Sequence, residues 1–341
     1  MKRISLLLIT IAILALSACQ KEEYRRNVGL VFGTSYNFIY KSSVDLEDSI
    51  LAQLSLYSES LSSYNPLSTI SKINDGTSTA TDEYFRIVYN KALEIYKLTD
   101  GAFDITVEPL CHIWKFDSSH PDTISNEEYA NIMSQVDSVL QFVGMDKIQL
   151  TDNNQLLRSD ERVRLEACAL AEGFGIDVAA ATLEKLGVTD YLVEIGGEIH
   201  MKGLNRDGKQ WRIGIDKPVD NNSTNLANRQ LQYKLALTDC AVSTSGSYRQ
   251  FYYTQDGRRV AHTIDPRTGR PIEHGMLSAT VIGPNTITTD ALSTSIMVMG
   301  AKKGMELVRD MKDIEVYIIY ETPDKKLHEE MTEGFKKLII E

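Results

Sequence analysis

Two periodicities alternate along this chain. Gly29 to Tyr40 follows a strand pattern, interrupted at Gly33-Thr34, where a glycine lets the backbone approach a ligand. Over 44–63, Val44, Ile50, Leu51, Leu54 and Leu61 fall at helical spacing, and Ser62 to Pro66 breaks that helix before a short turn over 68–74. Asp82 predicts an N-cap for a helix running to Leu98, with Phe85, Val88, Ala92 and Ile95 on one face. Thr99 to Asp104 reads as a loop and 126–143 as a helix. Arg162 to Ala169 reads as a strand, Glu172 to Leu186 as a helix closed by Gly187, and Tyr191 to Ile195 as a buried strand ending at Gly196-Gly197. Further strands are expected at 211–215, 232–242, 258–264, 277–283 and 314–320, with helices at 289–299 and 303–311.

Helices and strands alternate irregularly, with adjacent strand pairs late in the chain. That pattern predicts an α+β fold with a mostly antiparallel sheet rather than a doubly wound parallel one. After residue 27 there is no Pro/Gly/Ser-rich linker, repeat or low-complexity tract, so a single two-lobed domain is expected.

The first residues read differently. Lys2 and Arg3 precede an apolar run from Leu6 to Leu16 that is too short to span a bilayer comfortably. Leu16-Ser17-Ala18-Cys19 resembles a bacterial lipobox, in which Cys19 is lipidated. An ordinary signal peptide with a chance cysteine fits the same residues. The division expected is a signal over 1–18, a polar tether over 19–26 and the folded domain over 27–341. Removing Lys2 and Arg3 leaves 34 basic residues against 47 acidic ones, a net charge of about −13. Such a chain is a poor nucleic-acid binder, because that binding needs clustered Lys and Arg. Cys111, Cys168 and Cys240 remain after Cys19. An odd count without Cys-x-x-Cys gives neither a disulfide framework nor a zinc site.

Candidate chemistry concentrates late in the chain. Asp290, Ser293 and Thr294 stand at i, i+3 and i+4, which on a helix puts three oxygens on one face. Oxygen donors without His or Cys suit a hard cation such as Mg²⁺. An Asp N-cap followed by polar helix residues has the same spacing. His262 precedes a tight Asp265-Pro266-Arg267-Thr268-Gly269 turn and is a candidate general base, or else a strand-end histidine held by local bonds. Arg267 and Arg270 either bind phosphate or face solvent. Ser243 to Arg249 reads as a hydroxyl-rich loop, either a phosphate cradle or a plain connection. Gly173-Phe174-Gly175 begins like a dinucleotide fingerprint but has Val178 at the third glycine position and lies inside a helix. No P-loop and no G-x-S-x-G elbow occurs.

Eight collinear segments carry a resemblance. They are Phe32-Gly33-Thr34; Tyr64-Asn65-Pro66 with Ile70 and Asn74; Thr99 to Val107; Glu172-Gly173-Phe174 leading to Asp177; Val193 to Gly197; Ser243 to Arg249; His262 to Pro271; and Asp290 to Gly300. Together they resemble the ApbE-like FAD:protein FMN transferases, bacterial flavin-trafficking lipoproteins. The resemblance implies that family's α+β, T-fold-related architecture. It implies FAD in a cleft touched by Phe32, Tyr64, Ala102, Phe103, Asp104, Glu166, Glu172 and Ile264, with Phe103 and Tyr64 offering flat surfaces for ring stacking. Mg²⁺ would be held by Asp290, Thr294, Ser293 and the backbone carbonyl near Ala169. His262 would act as base on a threonine hydroxyl of an acceptor flavoprotein subunit. AMP would leave, and the protein would sit in the cell envelope, anchored to a membrane and facing the periplasm. Hydrolysis of the FAD pyrophosphate and non-catalytic FAD binding are the alternatives. Three positions depart from the family pattern: Phe32 where Met is frequent, Glu166 where Asp is common, and Ser293 where some relatives carry a carboxylate.

Overall fold

The computed structural model describes residues 22–116, 121–218, 230–247 and 250–340. Its main sheet holds eight strands, β1 (Glu23–Val31), β2 (Thr34–Ser42), β3 (Tyr191–Ile195), β4 (Glu198–Lys202), β5 (Cys240–Gly246), β6 (Met276–Gly283), β7 (Glu315–Glu321) and β8 (Leu327–Met331). Their order across the sheet is their order along the chain, and every neighbouring pair is antiparallel. The connections between strands carry everything else.

Both faces of this sheet are covered. On one side lie the helices α1 (Glu47–Leu61), α2 (Glu83–Leu98), α3 (Cys168–Lys185), α4 (Thr286–Met299) and α5 (Ala301–Val308). On the other, the hairpin of Trp211–Asp216 with Leu231–Leu237 packs beside the helix Glu333–Leu338. In β7, Val316 and Ile318 enter the helix-side core while Tyr317 and Ile319 enter the opposite one. A strand buried on both faces needs apolar residues at successive positions, which explains the near-continuous runs of β3 and β7. Full burial of Phe38, Ile50 or Leu54 stabilises the fold by roughly 1.5–3 kcal/mol each. A separate cluster of Leu110, Trp114, Ile132, Val136, Tyr252 and Ile264 forms the smaller lobe. The expected α+β, two-lobed architecture is the one observed.

Several local expectations change. Gly29 to Tyr40 is not one strand but a hairpin: Phe32 and Gly33 both have positive φ (54° and 78°), the signature of a two-residue turn between β1 and β2. β1 starts at Glu23, so residues 23–26, expected in the tether, are paired in the sheet. Arg162 to Ala169 is not a strand. Residues 163–167 form no regular element, and α3 begins at Cys168 rather than Glu172. The stretch 232–242 divides at Asp239 (φ 53°), where the chain passes from the outer hairpin into β5. β4, β8 and the helix Glu333–Leu338 were not anticipated. The calls on residues 1–18, on Cys19 and on Tyr248-Arg249 lie outside the described residues. Among the described residues no helix is long and apolar enough to cross a membrane.

Candidate functional site

Asp290 is fixed by the close approach of α3 and α4. A Cβ added to Gly173 would lie 2.6 Å from the Thr286 carbonyl oxygen and 2.8 Å from Asp290 Cβ, so only glycine permits this approach. The Gly173 N–H then donates to Asp290 Oδ2 at 3.1 Å. One turn further along α3, Asp177 takes the start of α4: Oδ1 accepts from Thr286 N at 2.8 Å and Oδ2 from Ile287 N at 2.9 Å. His200 Nδ1 stands 2.7 Å from Asp177 Oδ1. Asn285 caps α4 by accepting from Thr288 N. Asp290 is therefore not the N-cap that its spacing also allowed. It sits in the second turn, 5 % exposed.

Burial, and then the carboxylate of Glu172, push the Asp290 pKa well up; Asp177 adds to this, while the Gly173 N–H and a hydrogen bond from Glu198 pull the other way. Glu172 is itself raised, by desolvation first and Glu166 second. Glu172 and Cys168 are exposed residues, yet desolvation raises both.

The three residues spaced for a metal site part company. Ser293 is fully buried, donates to the Asp290 carbonyl at 2.9 Å and lies 2.7 Å from Ser245 Oγ. Thr294 is half-buried, with Oγ1 3.1 Å from Ser245 Oγ. Ala169 lies in the first turn of α3, half-buried against the same core. Among the described residues no three His, Cys, Asp or Glu side chains converge as ligands. The donor set is Asp290 with hydroxyl and carbonyl oxygens. A buried carboxylate raised by its acidic neighbours is a site where a divalent cation replaces a proton, and oxygen donors suit a hard one. The Asp290 carboxylate and the Thr294 hydroxyl, one helical turn apart, fit a hard cation such as Mg²⁺. Ser293, turned inward, fits less well.

The wall beside α3 is built by cross-braces. Asn74 pairs reciprocally with the Leu165 backbone, at 2.9 and 2.8 Å. Glu166 N donates to the Ile105 carbonyl at 2.7 Å, and Glu166 Oε1 accepts from Cys168 N at 2.9 Å, capping α3. Asp104 accepts from Thr106 N and Oγ1 at 2.8 and 2.6 Å and from Met145 N at 3.1 Å, so both its oxygens serve the loop. Ala102 and Phe103 are buried. Phe103, expected as a stacking surface, packs inside the core instead. Tyr64 is 84 % exposed. Phe32 lies 5.7 Å from the Tyr57 ring, and a Cβ on Gly175 would come 2.9 Å from its ring edge, so Phe32 is seated on α3. A non-glycine residue at positive φ costs about 1–3 kcal/mol and marks a place worth functional attention.

His262 belongs to the small lobe, between the strands Arg259–Ala261 and Ile264–Asp265. Its Nδ1 is 3.0 Å from the Gln250 carbonyl oxygen. A carbonyl only accepts, so Nδ1 carries a proton and the ring is oriented by that bond. The neighbouring turn is internally locked. Arg267 makes a two-pronged bond to Asp265, at 2.9 and 2.8 Å, and Trp114 Nε1 donates to the Gly269 carbonyl at 2.8 Å. Arg267 holds the turn, while Arg270 is exposed. Ile264 is buried in the small-lobe core. Ser245 of β5 meets α4, and just past the strand the Ser247 carbonyl accepts from Arg259 of the small lobe at 3.1 Å. The expected loop at Ser243 to Gly246 is instead a strand, with the Ser243 and Ser245 hydroxyls turned to α4.

Asp177, Glu198 and His200, which surround Asp290 and the start of α4, are not among the residues that the sequence singles out for the site. Asp177 had a readable signal, four positions after Gly173 and so on the same helix face. Glu198 and His200 had none, because β4 was not anticipated.

The family model described as the ApbE family matches residues 32–318. The chain is 35 % identical over 324 residues to the FAD:protein FMN transferase of Vibrio cholerae, covering 92 % of each chain. It is 34 % identical over 355 residues to that of Haemophilus influenzae, covering 99 % of each. The solved structure of the flavin transferase ApbE from Vibrio cholerae superposes with a TM-score of 0.79 at 34 % identity, over 93 % of this chain and 99 % of that one. A chain matched across its main sheet, its α3–α4 crossing and its histidine turn belongs to the ApbE family.

Proposed function

We propose that this protein transfers the FMN half of FAD to a protein acceptor, using Mg²⁺ and a threonine hydroxyl as nucleophile. The observation that carries the reading is that one chain holds both a buried acidic α3–α4 site and a histidine, His262, oriented through Nδ1 against the Gln250 carbonyl. A protein that only stores FAD needs neither.

The substrate is bound in the cleft between α3 and the small lobe, with Tyr64 presenting a ring face for stacking, worth about 0.5–1.5 kcal/mol beyond burial. Phe32, Ala102 to Asp104, Glu166, Glu172 and Ile264 shape or brace that cleft. His262 Nε2 takes the proton of the acceptor hydroxyl, while the Gln250 carbonyl holds the ring and supports the imidazolium that forms. The hydroxyl oxygen bonds to the phosphorus of the FMN half. The bond from that phosphorus to the bridging oxygen breaks, and AMP leaves with that oxygen. The flavin ends in a phosphoester to the acceptor. Bound Mg²⁺ would neutralise the phosphates, a contribution of several kcal/mol on a chain of net charge −11.

Leu16-Ser17-Ala18-Cys19 supports a lipid anchor on Cys19 and a place in the bacterial cell envelope, facing the periplasm, with an exported or membrane-bound redox subunit as acceptor. Hydrolysis is tested directly. With FAD and Mg²⁺, AMP should accumulate only when an acceptor domain is present; rapid AMP and free FMN without acceptor would make the protein a pyrophosphatase.

A further inference from the structure

We propose that Ser293 and Ser245 form a hydroxyl relay that leaves Thr294 Oγ1 with only lone pairs toward the cation position. Both serines are then positioning residues of the metal site and not ligands. The inference rests on the metal site proposed above and adds what orients it.

The direction of the relay follows from proton counting. A hydroxyl has one proton to give. Ser293 Oγ lies 2.9 Å from the Asp290 carbonyl, which can only accept, so the Ser293 proton is spent there. Ser245 Oγ lies 2.7 Å from Ser293 Oγ, and with the Ser293 proton committed, Ser245 is the donor. Thr294 Oγ1 lies 3.1 Å from Ser245 Oγ, whose own proton is now used, so Thr294 donates to Ser245. Thr294 is left as a pure acceptor. A cation repels an O–H proton aimed at it, so a hydroxyl ligand needs somewhere else to send that proton, and Ser245 provides the place.

The fold supplies the register. Ser243 Oγ meets Thr289 Oγ1 at 2.8 Å, one contact earlier along the same seam. From Ser243 to Ser245 the strand advances by about 6.6 Å, and from Thr289 to Ser293 the helix advances by about 6 Å. The two elements stay in step, so the hydroxyls of Ser243 and Ser245 each find one on α4, while Thr244 pairs with Thr280 of β6. Ser293 is fully buried and Thr294 half-buried, which puts the relay inside and its acceptor end at the cleft wall.

The test is Mn²⁺ binding to the protein without FAD, followed by the paramagnetic signal of free ion. Ser245→Ala and Ser293→Ala should each weaken Mn²⁺ binding by about tenfold to a hundredfold, the usual cost of losing a group that orients a ligand. The double variant should be no weaker than the worse single one, because both break one relay. Ser245→Thr keeps the hydroxyl and should restore binding, and this arm holds if Ser245→Ala folds poorly. Wild-type affinity in Ser245→Ala alongside a large loss in Ser293→Ala would overturn the relay and make Ser293 a ligand. Wild-type affinity in both Asp290→Ala and Thr294→Val would instead remove the metal site itself, and the relay with it.

Discussion

The Asp290 carboxylate accepts a 3.1 Å hydrogen bond from the backbone N–H of Gly173, so a helix-packing glycine and an acidic side chain of the site are one device. Gly173→Ala should open the α3–α4 contact, because the added methyl meets a backbone carbonyl at 2.6 Å. Overpacking of this kind costs about 1–3 kcal/mol. Urea denaturation should register that loss, together with weaker Mn²⁺ binding. Unchanged values of both would mean that the two helices yield freely.

Metal-free stability should depend on pH in an unusual direction. Asp290, Glu172 and Asp104 all have pKa values raised in the fold, burial being the largest cause for each. A raised carboxyl holds its proton better folded than unfolded. The contribution of these three groups to stability is therefore fully present below the ordinary carboxylate range and is lost as pH rises through the raised values. The melting temperature without metal should drop from pH 5 to pH 8, and Mg²⁺ should recover more of it at the higher pH. A flat profile, or equal recovery at both ends, would count against a proton held where the cation binds.

His262→Asn should leave FAD binding largely intact while turnover falls by about a hundredfold or more. Binding titration and AMP release, measured on the same sample, separate the two. Gln250 acts through its backbone carbonyl, so Gln250→Ala should have little effect on rate. A small change in His262→Asn would assign proton removal elsewhere.

The parts of the fold that local chemistry dictates were legible in the sequence. Asp82 does cap α2, accepting from Phe85 N at 2.9 Å, and Tyr191–Ile195 is a strand with the expected ends. The failures have physical reasons. A two-residue turn keeps strand periodicity running through it, so β1 and β2 read as one strand, and Phe32 is no turn former. Ser243 to Gly246 looked like a loop because its polar residues are satisfied inside the core, by Thr289 and Ser293. Residues 163–167 alternate apolar and polar side chains as a strand does, but the Leu165 backbone pairs with the Asn74 side chain instead of with a neighbouring strand. At the site, Asp290 was readable from spacing. The inward turn of Ser293 was not, since it depends on where β5 lies.

The most direct measurement is the intact mass of an acceptor domain after co-expression with this protein. The account predicts a gain of one FMN on a threonine, lost when that threonine is changed to valine and lost with Asp290→Ala. An acceptor that stays unmodified while the purified protein, given FAD and Mg²⁺, also releases no AMP would contradict it.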